Sequence, residues 1–141
     1  MATCGEVMTR NLVVAQPDDT VASVAKQMKE WDVGPIPIVE DTVTKKLVGV
    51  VTDRDLAIKV VAEGKDPTTT KIREVMTEDI VTCGENDDIQ ETMEAMSQHQ
   101  LRRILVVDAE NNLVGIIAQA DIATRMDKPE KTGEVVKEIS E

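Results

Sequence analysis

The 141-residue chain contains no Phe and no Tyr, and Trp31 is its only aromatic residue. Any hydrophobic core must therefore be built from aliphatic side chains and methionine. No apolar run approaches the ~18 residues of a membrane span. The start, MATCGEVMTRN, lacks the apolar stretch of a signal peptide, so a cytoplasmic protein is expected. Basic residues are scarce against acids, 16 to 27, giving a net charge of −11. That balance excludes polyanionic partners such as a nucleic-acid backbone or an anionic membrane surface. Cysteine is limited to Cys4 and Cys83, with no CxxC spacing and no Cys/His cluster. Two reduced, structural thiols are expected, although spacing alone leaves a bridge between them open. No nucleophile elbow, metal motif or P-loop occurs, so the chain reads as a non-enzyme.

What the chain does have is a repeat. VMTRNLVV at 7–14 returns as VMTEDIVT at 75–82, an offset of 68, and at that offset PIPIVE (35–40) falls on RILVVD (103–108). LVGVVTDRDL at 47–56 returns as LVGIIAQADI at 113–122, an offset of 66, so the first copy carries two extra residues in the loop EDTVTKK. Loops absorb such insertions.

Both copies give the same expected elements. A helical turn ending in Val-Met-Thr precedes a strand, 12–15 or 79–83. An acidic turn then supplies an Asp or Asn cap for a helix. That helix shows a core stripe of Val21, Val24, Ala25 and Met28 in the first copy, and of Ile89, Met93 and Met96 in the second. A hairpin pairs 36–39 with 47–51, or 104–107 with 113–117, the latter turning at Asn111-Asn112. A closing helix runs from 53 to Ala62 with Gly64 as its stop, or from 119 to Met126. The organisation is thus a first repeat over 1–64, a joint at 65–70, a second repeat over 71–126 and a charged tail over 127–141. The fold class is mixed α/β (α+β). At roughly 60 residues neither repeat is secure alone, so two β-α-β-β-α units packed sheet to sheet with pseudo-twofold symmetry are expected. In the tail, Val135, Val136 and Ile139 share one helical face, and a short helix that contributes to a dimer is expected there.

The repeated Gly-apolar-apolar-x-x-x-Asp stretch carries the candidate chemistry, and Thr52 and Asp55 admit two uses. Thr-x-x-Asp at a strand-to-helix junction has the form of a capping box, the commoner reading of this spacing. The same junction presents backbone N–H groups for a phosphate, a hydroxyl to donate to it, and an acid to accept both hydroxyls of a ribose. The second copy keeps Asp121 but has Ala118 in place of Thr.

With its Val-Met-Thr starts, the strands Ile36-Pro37-Ile38-Val39 and Ile104-Leu105-Val106-Val107-Asp108, and the two glycine-led stretches in matched order, the chain resembles a tandem pair of cystathionine β-synthase (CBS) domains, the Bateman module, over about residues 5–126. The small stand-alone members of prokaryotes, including stress- and hypoxia-response types, are the most similar in layout. The resemblance implies a regulatory module that binds an adenosine nucleotide in clefts between the repeats. No cofactor is required, and AMP, ADP or ATP is the ligand implied. Carried onto this sequence, one site uses Thr52 and Asp55 with Arg54 and Asp53 close by, and Val14, Ile36 and Pro37 at the base. The other uses Asp121 with Val81, Ile104 and Leu105, and Ala118 weakens its phosphate contact. The resemblance also implies a homodimer and, with no effector domain attached, a protein partner regulated in trans. A ligand-free interaction scaffold is the alternative.

Counter-charge for a nucleotide comes best from Arg102 and Arg103, which stand where the first copy has Gly34-Pro35. They are either phosphate contacts or a solvated pair offsetting Glu94 or Asp108. Arg54, Lys59 and Arg73 are weaker candidates. His99 aligns with Trp31 at a helix end and is expected to pack over a strand edge or bond a helix carbonyl.

Overall fold

The computed structural model describes residues 2–125. The tail over 127–141, with its expected helix, lies outside them. In chain order the elements are α1 (Cys4–Val7), α2 (Val21–Trp31), β1 (Pro35–Val39), β2 (Leu47–Thr52), α3 (Asp53–Leu56), β3 (Thr82–Gly84), α4 (Ile89–Gln98), β4 (Arg103–Val107), β5 (Leu113–Ala118) and α5 (Gln119–Arg125). A π turn over Ala57–Val61 extends α3, and a 3-10 turn occupies Ile72–Glu74. Sequence periodicity did not distinguish that π turn from regular helix. The chain behind it reaches Gly64, whose φ of 70° ends the helical run as expected.

The helix stripes form because their apolar residues recur at helical spacing. Val21, Val24 and Met28 are buried on α2, while Ala25, expected in the same stripe, is exposed. On α4 the buried face is Ile89, Thr92 and Met96, and Met93 is half-buried at its edge. The caps lie one residue past the expected acidic turns, and only that of the second repeat is an Asp. α2 is capped by Thr20, whose hydroxyl accepts the Ser23 N–H at 3.2 Å, and Asp88 holds the cap position of α4. The acids before them close the preceding turns instead. Asp19 accepts the Gln16 N–H at 2.9 Å, and Asp87 accepts the Gly84 N–H at 2.8 Å. A side chain that reaches back to its own turn is spent before the helix begins.

Both hairpins fall where expected, β1 antiparallel to β2 and β4 antiparallel to β5, with the same register break one residue before the turn. Their loops close on carboxylates. Asp41 accepts the Val43 and Thr44 N–H groups at 2.8 Å, and Asp108 accepts those of Glu110 and Asn112 at 2.9 Å. Bonds from Thr44 and from Asn112, respectively, hold these two carboxyls below the usual range.

The leading strands differ between the repeats. β3 pairs in parallel with β4 from Thr82–Leu105 to Gly84–Val107. In the first repeat only Ala15 forms a bridge, to Ile38, so the strand expected at 12–15 is not made. Pro37 is the physical reason. Ala15 donates to Pro37 O at 3.1 Å and accepts from Val39 N–H at 2.8 Å. The next donor along β1 toward Val13 would be Pro37, which has no N–H to extend the ladder.

The chain divides into two compact units, and these are not the sequence repeats. One spans Val13–Ile80; the other unites the described residues up to Leu12 with those from Val81 on. Each Val-Met-Thr segment therefore serves the hairpin of the other copy. Thr9 and Ile116 exchange backbone bonds at 2.9 and 3.0 Å, and Thr77 and Val50 do so at 2.8 and 3.0 Å. Each unit has its own aliphatic core. Ile36, Ile38, Val51, Val24 and Ile72 centre one, and Ile104, Val106, Ile117, Ile89 and Met96 the other.

Candidate functional site

The Thr52–Asp55 junction is assembled by β2 running directly into α3. Thr52 is still extended (φ −117°, ψ 165°), which points its side chain along the new helix. Its hydroxyl oxygen accepts the Asp55 N–H at 3.1 Å, and Asp55 Oδ2 accepts the Thr52 N–H at 2.9 Å. That is a complete capping box. The other carboxylate oxygen, Oδ1, lies 3.5 Å from Lys59 Nζ, which also donates to Val75 O at 3.1 Å.

The remaining N–H groups of the first turn are also used. Asp53 N–H donates to Gly34 O at 3.1 Å, and Arg54 N–H to Asp53 Oδ1 at 2.8 Å. The sequence reading of open N–H groups awaiting a phosphate is thus corrected. Two acids and a Thr of the turn, with the Gly34 carbonyl, satisfy these N–H groups within the protein. Capacity remains in the side chains. An ionised carboxylate offers about four lone-pair sites, and two protein donors engage that of Asp55, whose side chain is 20% exposed. Arg54 is exposed beside it. Because the second copy forms the same junction with Ala118, Thr52→Ala is expected to cost only ~0.5–1 kcal/mol, the low end for a lost cap. Chemical denaturation measures this, and a loss of several times that amount would show that Thr52 does more than cap.

In the second copy, Gln119 N–H donates to Arg102 O at 2.8 Å, as Asp53 does to Gly34. Asp121 sits half-buried in the first turn of α5. Arg103 is the register partner of Ala118, as Pro35 is of Thr52. Directly paired residues bring their Cβ atoms within about 5 Å, so a guanidinium is tethered beside the position that lacks the hydroxyl. Arg102 and Arg103 are exposed, and among the described residues neither forms an ion pair. Asp108, one of the acids expected to offset them, accepts the Glu110 and Asn112 N–H groups of its own turn.

Of the apolar candidates, Val14 and Val81 are half-buried, with Val81 packed against its unit's core. Ile36 and Ile104 are core residues, 0% and 2% exposed, so their side chains are spent on folding. Pro37 and Leu105, one position on, are buried outside those clusters, as strand alternation requires.

A profile of the CBS domain matches residues 4–62 and again 72–128. The chain belongs to the CBS domain family. The CBS domain-containing protein YhcV of Bacillus subtilis is 37% identical over 140 residues, 99% of this chain and 96% of that protein. Hypoxic response protein 1 of Mycobacterium tuberculosis is 36% identical over 89% of this chain and 86% of its own length. A crystal structure of Hypoxic Response Protein I with two coordinated zinc ions superposes with a TM-score of 0.79, covering 89% of this chain and 99% of that one. The CBS domain pair of protein MJ0100, in complex with 5-methylthioadenosine and S-adenosyl-L-methionine, superposes at 0.73 with 25% identity, covering 89% and 96%.

Within this CBS pair, a cavity of about 510 Å³ opens in the Val13–Ile80 unit, lined by Gln16, Asp18, Asp19, Glu40, Arg73 and Glu78 among others. It lies at the turn end of the hairpin, opposite Thr52. Its acids repel a phosphate, and its one cation, Arg73, is already paired with Asp18. The hydrogen bond and charge of Arg73 lower the Asp18 carboxyl below its usual range. Arg73 is therefore removed from the candidate phosphate contacts. His99 is exposed, and its backbone N–H, not its ring, bonds the end of α4 through Ala95 O at 3.0 Å. Trp31 is 58% exposed at the matching end of α2. Among the described residues no group of three or more His, Cys, Asp or Glu side chains is placed to hold a metal. The residue that sequence reading undervalued is Lys59. Its i,i+4 spacing from Asp55 was the available signal.

Proposed function

We propose that this CBS pair is a regulatory module, not an enzyme, which binds an adenosine nucleotide such as AMP, ADP or ATP at the Thr52–Asp55 junction. The observation that carries the reading is the half-buried Asp55 carboxylate, held at a strand end with acceptor capacity left and the Thr52 hydroxyl beside it. A ribose needs such a doubly accepting group. The adenosine ligands named for the MJ0100 pair support the chemical class. Asp121, with Arg103 standing in for the hydroxyl missing at Ala118, forms a second and weaker site. The module works as a cytoplasmic homodimer and passes the bound state to a protein partner in trans.

A second reading, a ligand-free dimeric scaffold, is favoured by one observation: the capping box is already closed without a ligand. A thermal-shift panel of AMP, ADP, ATP, NAD and S-adenosylmethionine separates the two. A ligand at 100 times its Kd stabilises by ~2.7 kcal/mol, several degrees for a chain of this size. A rise with AMP, ADP or ATP is expected. No rise with any member of the panel would leave the scaffold.

A further inference from the structure

The two cysteines, 79 positions apart in sequence, occupy one core. Cys4 on α1 is 0% exposed and Cys83 on β3 is 8% exposed, and both belong to the same buried cluster. The Cys4 thiol lies 3.0 Å from the hydroxyl of Thr92, itself buried on α4, and Cys83 is packed in the same buried cluster as Cys4. α1 is pinned over the turn that follows β3. Cys4 N–H donates to Asp87 O at 3.0 Å and Gly5 N–H to Glu85 O at 2.8 Å.

The other unit shows that packing does not require this chemistry. At the repeat offset of 68, Cys4, Cys83 and Thr92 correspond to Ile72, Ala15 and Val24. These three are buried together in the core of the Val13–Ile80 unit. One fold therefore fills the same niche once with three apolar side chains and once with two thiols and a hydroxyl.

We propose that Cys4 and Cys83 are a modification site, a dithiol that closes to a disulfide on reaction with a small-molecule disulfide and locks the N-terminal segment onto its unit. Cys83, the only one of the pair with any exposure, reacts first. Its thiol loses a proton, and the thiolate attacks one sulfur of the small disulfide, whose S–S bond breaks. The released thiolate takes up a proton. The Cys4 thiolate then attacks the Cys83 sulfur of the mixed disulfide and releases the second small thiol. Two protein thiols are oxidised and one small disulfide is reduced to two thiols.

Burial, and then the neighbouring Cys4 thiol, push the Cys83 thiol up to about 12. A thiol so rarely ionised exchanges slowly at neutral pH. Reaction therefore proceeds through opening of the short α1 and quickens with alkalinity. Once closed, the bridge fixes the segment that carries Met8 and Thr9 against β5.

The test treats the full chain with oxidised glutathione in mildly alkaline buffer and reads intact mass, unreduced peptide maps and melting temperature. The expected product is a chain lighter by two hydrogen atoms, with the Cys4 and Cys83 peptides joined. It should melt several degrees higher, because the bridge closes a long loop. Dithiothreitol should reverse both changes. Cys83→Ala, which copies Ala15, and Cys4→Ala should show neither. Three results would overturn the proposal: a stable glutathione adduct on one thiol, disulfide-linked dimers, or thiols that stay free while those of the urea-unfolded chain are consumed.

Discussion

Asp55→Asn is expected to leave the free protein nearly as stable as before and to remove most of its response to an adenosine nucleotide. In the capping box, Asp55 uses Oδ2 to accept the Thr52 N–H. Asn keeps one acceptor oxygen, so that bond survives, and the change forfeits a charge–dipole contribution of ~0.3–1 kcal/mol. Asn also gives up the contact between Oδ1 and Lys59 Nζ at 3.5 Å, a helix-surface pair worth only ~0.3–0.5 kcal/mol. Ribose binding depends on the lost charge far more. A hydrogen bond to a charged group contributes ~1.5–3 kcal/mol, so affinity should fall roughly 10- to 150-fold. Calorimetric titration of both proteins with AMP or ATP, beside their unliganded melting curves, measures the two effects separately. Equal affinities in wild type and Asp55→Asn, with only the small loss of stability, would assign Asp55 to the helix alone. Asp121→Asn should give a smaller loss of binding at the second junction.

Gly49→Ala and Gly115→Ala should each destabilise the fold by ~1–3 kcal/mol, the cost of forcing a methyl group into a filled space. The glycine in each repeated stretch exists for the chain that crosses it. An added Cβ at Gly49 would stand 2.7 Å from Met76 Sδ, 3.0 Å from Met76 Cγ and 3.2 Å from Thr77 O. At Gly115 it would collide with Met8 Sδ and lie 2.7 Å from Met8 Cγ and 3.0 Å from Met8 Cβ. The methionine tip can swing away, but Thr77 O belongs to the bridge with Val50, and Met8 Cβ is fixed by the bridge at Thr9. Urea unfolding of the single variants, and of Gly115→Ala combined with Met8→Ala, tests the origin of the loss. The double variant should recover part of the Gly115→Ala penalty, as coupled neighbours do. A neutral or stabilising Gly→Ala at both positions, which strand propensity alone would give, would refute the close-crossing account.

The same two glycines mark where sequence stops and tertiary structure begins. Elements stabilised by near neighbours were legible. The hairpins follow from apolar runs and turn residues. The helix stripes follow from helical spacing, apart from Ala25, and the duplication from offsets of 68 and 66. The family was legible too, because motif order survives without coordinates, and a matching profile over both repeats bears it out. Three features required the fold. The Val-Met-Thr segments carry the same letters in both copies, so nothing local states that Thr9 pairs with Ile116 and Thr77 with Val50. Thr-x-x-Asp does not disclose whether its side chains are open or, as here, closed on each other, because the choice depends on backbone angles at one residue. The niche filled by Cys4, Cys83 and Thr92 joins three distant stretches of chain. Only packing brings them together, since burial of apolar area rewards proximity in space and is indifferent to separation in sequence.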